Sequence, residues 1–222
     1  MPVAKEVFPG VYSIDGRLAT RNLVKGRSVY GENLVTVDKT EYRMWTPYRS
    51  KLAAAVMNKL RTFAFKEGSS VLYLGASNGT TPSHVSDIIG KKGRLFGVEI
   101  SERSMRDFVA LCEKRENMLP LLADARRIES YSGVVGNGSC DIIYQDVSAK
   151  EQAEILERNA VFLKKGGYAY LAIKSQSIDI SREPKEVYKE VLHYLENTFE
   201  ILEQLSLEPY DSAHLFAVLR KR

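Results

Sequence analysis

At 222 residues and 25.0 kDa the chain is long enough to bury a full hydrophobic core, which excludes disordered, collagen-like and mini-protein architectures. Hydrophobic residues make up 44% and charged residues 27%, and no apolar run approaches the roughly 18 residues of a membrane span, so a soluble protein with no membrane attachment is expected. The net charge of +4 is concentrated at the start: residues 1–55 hold nine Lys/Arg against five acids, and the remaining 167 residues are neutral, a distribution that suits a polyanionic partner at one end of the molecule or an ordinary solvated surface.

In chain order, Met1 to Glu6 carries a Lys–Glu pair where a secretion signal needs an apolar stretch, and a cytoplasmic location is expected. The only cysteines, Cys112 and Cys140, are 28 apart, which gives neither a disulfide framework nor a zinc spacing; no metal site is expected. The first ~45 residues read as short strands punctuated by turns, with Asp15-Gly16 a hairpin signal. A small β domain is therefore expected over 1–48. Pro47 breaks the pattern, and Ser50 is a candidate N-cap for a helix from Lys51 to about Phe63.

From Ser70 onward, apolar strand-like runs (Val71–Leu74, Arg94–Glu99, Met118–Leu122, Asp141–Asp146, Tyr168–Lys174) alternate with helical stretches near 81–90, 102–114, 150–163 and 184–197. Strict alternation implies right-handed βαβ units, hence an α/β, doubly wound, Rossmann-like domain over 49–222. Lys164-Lys165 before Gly166-Gly167 reads as a helix C-terminus. The runs Phe199–Leu205 and His214–Leu219 have no helix between them and predict a terminal antiparallel hairpin.

Strand one ends in Leu74-Gly75-Ala76-Ser77-Asn78-Gly79-Thr80-Thr81 directly before a helix. Glycines there let a ligand approach the backbone, and the helix start offers free N–H groups. Strand two ends in Glu99-Ile100, where the acid would accept ribose hydroxyls, and strand three is followed by Asp124-Ala125, placed to meet an adenine edge. Nicotinamide dinucleotides and S-adenosylmethionine both use a glycine loop and a strand-two acid. Here Ser77 and Thr80 break Gly-x-Gly-x-x-Gly, and with the terminal hairpin this favours S-adenosylmethionine and a seven-stranded, mostly parallel methyltransferase sheet. Asp146 and Lys174 end the next two strands and should sit side by side. For a hydroxyl acceptor something must take the proton or stabilise the alkoxide, and a lysine desolvated in a cleft can do either. The bland alternative is a partly exposed ion pair. Tyr168 and Tyr170 are expected in the core, and His84 in a structural role.

Arg43-x-Trp45-x-Pro47-x-Arg49-Ser50-Lys51-Leu52-Ala53-Ala54, the Val71–Gly90 segment, Asp124-Ala125-Arg126 and Leu207-Glu208-Pro209-Tyr210 resemble fibrillarin, the box C/D RNA-guided 2′-O-methyltransferase family, over essentially the whole chain and in its short archaeal form without a Gly/Arg-rich tail. The resemblance implies a catalytic Lys–Asp–Lys–His group made of Lys51, Asp146, Lys174 and His214, with Lys174 as base. It implies S-adenosylmethionine held by Gly75, Ala76, Thr80, Thr81, Glu99, Ile100, Asp124, Ala125, Asp146, Val147 and Gln152. It also implies guide and target RNA for rRNA and tRNA sites, a Nop-domain scaffold protein and a kink-turn-binding ribosomal-type protein as partners, with self-association open. Where the family usually reads Asp-Val-Ala-Gln, this chain has Asp146-Val147-Ser148-Ala149, leaving Gln152 as the available glutamine. The rival readings are a small-molecule or protein methyltransferase on the same fold, and a non-catalytic assembly subunit that has kept it.

Overall fold

The structure, a computed structural model, describes residues 2–212 and 214–222. Strands β1 (Ala4–Phe8), β2 (Val11–Ile14), β3 (Arg17–Arg21), β4 (Leu34–Val37) and β5 (Thr40–Met44) form an antiparallel sheet in the order β1-β2-β3-β5-β4. Two of its turns are two-residue hairpins with both central residues left-handed: Asp15-Gly16, at φ 49° and 76°, and Asp38-Lys39, at φ 47° and 66°. That geometry matches the right-handed twist of the strands it joins.

The rest of the chain lays down α1 (Lys51–Met57), β6 (Ser70–Leu74), α2 (Thr80–Ile89), β7 (Arg94–Glu99), α3 (Glu102–Cys112), β8 (Met118–Leu122), α4 (Ser132–Val135), β9 (Cys140–Gln145), α5 (Gln152–Asn159), β10 (Leu163–Lys174), α6 (Ser175–Ile178), α7 (Pro184–Leu195), β11 (Phe199–Ser206) and β12 (His214–Lys221). The seven strands order as β11-β12-β10-β9-β6-β7-β8, with the β6–β10 neighbours parallel and the β11–β12 hairpin antiparallel. Register places the future site. Leu74 pairs with Gln145, and Lys174 pairs with His214, so the carboxyl ends of β6, β9 and β10 converge with the start of β12 at one sheet edge. One face of the sheet buries Leu52, Val85, Ile88 and Phe108; the other buries Val135, Leu156, Val187 and Val191. Each such side chain contributes ~1.5–3 kcal/mol through apolar burial.

The N-terminal sheet is joined to this body by a buried polar cluster. Arg43, fully buried, pairs with Glu32 at 2.5 Å and Asp87 at 2.9 Å, and Asp87 also holds Arg115 at 2.7 Å. His84, also fully buried, bonds Thr20 at 2.8 Å and Tyr30 at 2.7 Å and stacks on Trp45. Burial, helped by Arg43 and Arg115, pushes its imidazole well below the usual histidine range, so it is neutral. His84 therefore has the structural role expected of it, and Tyr170 is fully buried, with Tyr168 partly so.

Two local expectations are corrected. The helix from Lys51 stops at Met57 rather than near Phe63, because Asn58 caps it and donates to the carbonyls of Ser206 and Glu208, while Lys59 turns left-handed at φ 68°. The following segment runs without regular structure and drives Leu60 and Phe65 into the core. Lys164 and Lys165 lie in the first residues of β10, just past a 3-10 turn over Ala160–Phe162 that extends α5, so they follow a helix end as strand residues, and Lys164 pairs with Asp141 at 2.6 Å.

Candidate active site

A cleft of about 660 Å3 opens at the carboxyl edge of the parallel strands. Its walls come from the Gly75 turn, the end of β7, the Ala123–Arg126 turn and the segment Asp146–Glu151, with Lys51 and Lys174 on its floor. Sequence makes this shape locally. Gly75 sits at φ 85°, and a Cβ there would lie 2.6 Å from the Asp146 carbonyl oxygen, so only glycine lets the β6 turn pass the β9 end. Asp146 follows β9, its N–H bonded to the Leu74 carbonyl. Lys51 opens α1, where Ser50 caps by accepting from the Ala53 N–H.

The charged groups form one row. Lys174 Nζ lies 2.8 Å from Asp146 Oδ1, and Lys51 Nζ lies 3.1 Å from Asp146 Oδ2. Lys51 also approaches Asp211 Oδ2 at 3.5 Å, and Asp211 Oδ1 meets His214 Nδ1 at 2.8 Å. Lys174 further donates to Ser148 Oγ at 3.0 Å and to the Asp146 carbonyl at 3.3 Å. Burial pulls the Asp146 carboxyl upward, but the two ammonium groups outweigh it and hold the group below the usual carboxylate range. Asp146 is thus an anion between two cations. Beneath it, Tyr73 and Tyr144 stack at 4.5 Å, and burial with the Asp146 charge keeps both phenols protonated far above neutrality.

At the opposite end, Glu99 accepts from the Ser77 N–H at 2.7 Å and the Ser101 N–H at 2.9 Å. A carboxylate offers about four acceptor sites, so two remain for ligand hydroxyls. Asp124 is gripped by Arg126, whose Nε and Nη2 lie 3.0 and 2.8 Å from it, and this hydrogen bonding lowers its carboxyl below the usual range. Ile100, 60% exposed, and Val147 supply apolar wall.

The structure therefore brings Lys51, Gly75, Glu99, Ile100, Asp124, Ala125, Asp146, Val147 and Lys174 to one cleft. Four expected cofactor residues lie outside its wall. Ala76 is buried behind Gly75, Thr81 is buried with its hydroxyl donating to Ser50, and Thr80 donates to Asn78. Gln152 is fully buried: its amide donates to the carbonyls of Ala149 and Lys174 and accepts the Lys174 N–H, so it fixes the end of β10 from behind. His214 stands outside the wall too, and among the described residues its link to Lys51 runs through Asp211. Sequence reasoning missed Asp211, Ser77, Ser148 and Arg126. Asp211 had a signal, an acid three residues before a singled-out histidine; the others lie within segments the sequence had marked, but nothing there distinguished their own side chains or backbone from their neighbours. Among the described residues no group of three or more His, Cys, Asp or Glu could hold a metal.

The residues fit an adenosine-type cofactor. The cradle at Gly75 is one a Cβ would fill, Glu99 keeps acceptor capacity at the strand-two end, and Asp124 lines the same cleft.

Comparison with known proteins agrees with this geometry. The family model Fibrillarin matches residues 3–222. A Thermococcus gammatolerans protein named fibrillarin-like rRNA/tRNA 2′-O-methyltransferase is 50% identical over 227 residues, covering 100% of both chains. Aeropyrum pernix fibrillarin, solved in complex with natively bound S-adenosyl-L-methionine, superposes with a TM-score of 0.90 at 43% identity, over 99% of this chain and 97% of that one. The fibrillarin of a fibrillarin/Nop5p complex gives a TM-score of 0.89 at 40% identity, over 98% and 100%. With its glycine cradle, its strand-end acids and its Lys–Asp–Lys row on the matched body, the chain belongs to the fibrillarin family.

Proposed function

We propose that this chain transfers a methyl group from S-adenosylmethionine to the ribose 2′-hydroxyl of rRNA and tRNA nucleotides chosen by a box C/D guide RNA. It does so as the catalytic subunit of a ribonucleoprotein that also contains a Nop-domain scaffold and a kink-turn-binding protein. Full-length identity to fibrillarin-like rRNA/tRNA 2′-O-methyltransferases supports the activity, and the relative's complex with Nop5p supports the scaffold. The two unbridged cysteines suit work in the cytoplasm. One observation carries the chemistry: a lysine, Lys174, held in the cofactor cleft 2.8 Å from an anion that a second lysine shares.

When bound, the cofactor supplies an electrophilic methyl on a sulfonium, whose C–S electron pair stays with sulfur on transfer. Glu99 orients the cofactor ribose and Asp124 the adenine edge. Lys174 either gives its own proton to solvent and, as the neutral amine, takes the proton of the attacking 2′-hydroxyl, or stays an ammonium and stabilises the alkoxide as it forms. The geometry of the row supports Lys174 for that role, because Lys51 is tied between two carboxylates, Asp146 and Asp211, while Lys174 meets Asp146 alone. Asp146 aims both lysine side chains, which supplies alignment for an in-line displacement. His214 acts through Asp211 as a positioning residue.

The test is incubation with methyl-labelled cofactor and a guide–target RNA pair, with and without the scaffold proteins. Label should enter RNA only with guide and scaffold present. Label in a protein or small-molecule acceptor, with none in RNA, overturns the reading.

A further inference from the structure

Beside the catalytic cleft lies a second recess, of about 360 Å3, where the loop between β3 and β4 meets the C-terminal end of α3. Its charged lining is four cations, Arg27, Arg49, Lys114 and Arg115, against one acid, Asp107. We propose that this recess holds the phosphodiester backbone of the RNA alongside the nucleotide being methylated; the proposal rests on the RNA-methyltransferase reading above.

Unspent donors argue for an anion. Arg115 is 2% exposed and spends Nη1 on the Ser83 carbonyl, Ser86 Oγ and Asp87 Oδ1, at 3.2, 3.1 and 2.7 Å, while its Nη2 has no acceptor among the described residues. Enclosed in this way, Arg115 contributes positive charge behind the recess, and the donors that a phosphate oxygen can reach are those of the more exposed cations. Arg27 and Lys114 are exposed and take part in no ion pair among the described residues, so neither charge is neutralised from within. Arg49 is held over the Tyr30 ring at 5.0 Å and uses one donor on the Tyr30 carbonyl, leaving the rest of its fork free.

The recess is also preorganised. Asn22 donates to the Arg27 carbonyl at 3.1 Å, and Glu41 accepts from Asn22 and from the Gly26 N–H, so the loop carrying Arg27 is pinned to β5. Continuity with the cleft decides which phosphate binds. Arg49 lies two residues before Lys51, and Asn78 belongs to the same Gly75–Gly79 turn that walls the cofactor cleft. The Arg49 and Asn78 end of the recess therefore adjoins the segments that wall the cleft, and the proposed backbone path runs from there toward Arg27 and Lys114. Contacts of this kind add affinity and register without reading sequence, as a guided enzyme requires.

The experiment measures binding of the full-length chain to a fluorescein-labelled guide–target RNA duplex by anisotropy across a sodium chloride series. The double variant Arg27→Gln with Lys114→Gln should lower the log–log salt slope by about 1.5 in magnitude, since each lost phosphate contact removes about 0.7–0.9. Lys185→Gln with Lys189→Gln, on exposed positions of α7 and with the same charge change, should leave the slope as in wild type. Cofactor affinity and melting temperature, measured alongside, should match wild type for both variants. An unchanged slope in the recess variant, an equal loss in the α7 control, or no wild-type binding at the lowest salt overturns the proposal. So does displacement of the RNA by inorganic phosphate beyond a chloride control at matched ionic strength, which would make the recess a site for a free anion. Guided methylation by the assembled particle, run separately, reports on the underlying reading: product formed there with an unchanged slope removes the recess alone.

Discussion

Asp146→Asn removes the anion that two lysines share, with ammonium groups at 2.8 and 3.1 Å, and leaves the shape of the site in place. Removing one partner of a fully buried pair costs ~3–5 kcal/mol. Here the lysine side chains are 15% and 18% exposed and Lys51 retains Asp211, so both cations can rehydrate in part and the expected loss is about 2 kcal/mol. The pH dependence has a definite sign. The folded-state pKa of Asp146 is depressed, so its carboxylate stabilises the fold at every pH above the unfolded value of about 3.9, and that contribution disappears as pH falls through the folded value. The stability gap between wild type and variant should therefore be full at pH 7 and close progressively below about pH 4. Urea denaturation at a series of pH values measures the gap, and single-turnover methylation by the assembled particle should fall by about 10²–10⁴. Equal stability at pH 7 together with a rate within about threefold of wild type would refute the assignment of Asp146 as the organising anion.

Lys174→Ala should lower the single-turnover rate by about 10²–10⁴ with cofactor affinity nearly intact by calorimetry, and Lys174→Arg should not restore it, because a guanidinium cannot give up its proton; normal methylation by either variant would reduce Lys174 to an ion-pair partner. Glu99→Ala should weaken cofactor binding by ~1.5–3 kcal/mol, since it loses charged hydrogen bonds and frees the Ser77 N–H that holds the glycine turn at 2.7 Å; unchanged affinity in calorimetry would contradict that role. Gly75→Ala forces a Cβ to within 2.6 Å of the Asp146 carbonyl at φ 85°, and should cost about 1–3 kcal/mol in thermal or urea unfolding as well as cofactor affinity; wild-type stability would show that the turn yields freely.

Fold class was legible in the sequence because the physics is repetitive: alternating apolar strands and amphipathic helices leave a parallel sheet as the way to bury both faces. The hairpin at Asp15-Gly16 announced itself through its glycine; the equivalent Asp38-Lys39 did not, since a lysine at φ 66° is a tertiary outcome rather than a propensity. The early end of α1 was likewise illegible, because Asn58 is captured by the carbonyls of Ser206 and Glu208, about 150 residues away in sequence. Strand ends gave up the principal site groups, Glu99, Asp146 and Lys174, since position alone sends them to the cleft. The inward turn of the Gln152 amide toward Lys174 and Ala149 was not legible, because a helix start beside the cleft does not say which way its side chain faces, and Asp211 was marked only by its place three residues before His214, with its approach to Lys51 left to the fold.

The central claim is methyl transfer to a ribose oxygen with Lys174 handling the proton. Its most direct test is to assemble the chain with scaffold proteins, guide RNA, target RNA and S-adenosylmethionine, and then to map the product by partial alkaline hydrolysis, since a methylated 2′-oxygen cannot attack the adjacent phosphodiester. A single gap in the alkaline ladder at the guide-specified nucleotide, absent with Lys174→Ala, is the predicted result. A methyl group located on a base, or a gap of undiminished intensity with Lys174→Ala, would contradict it.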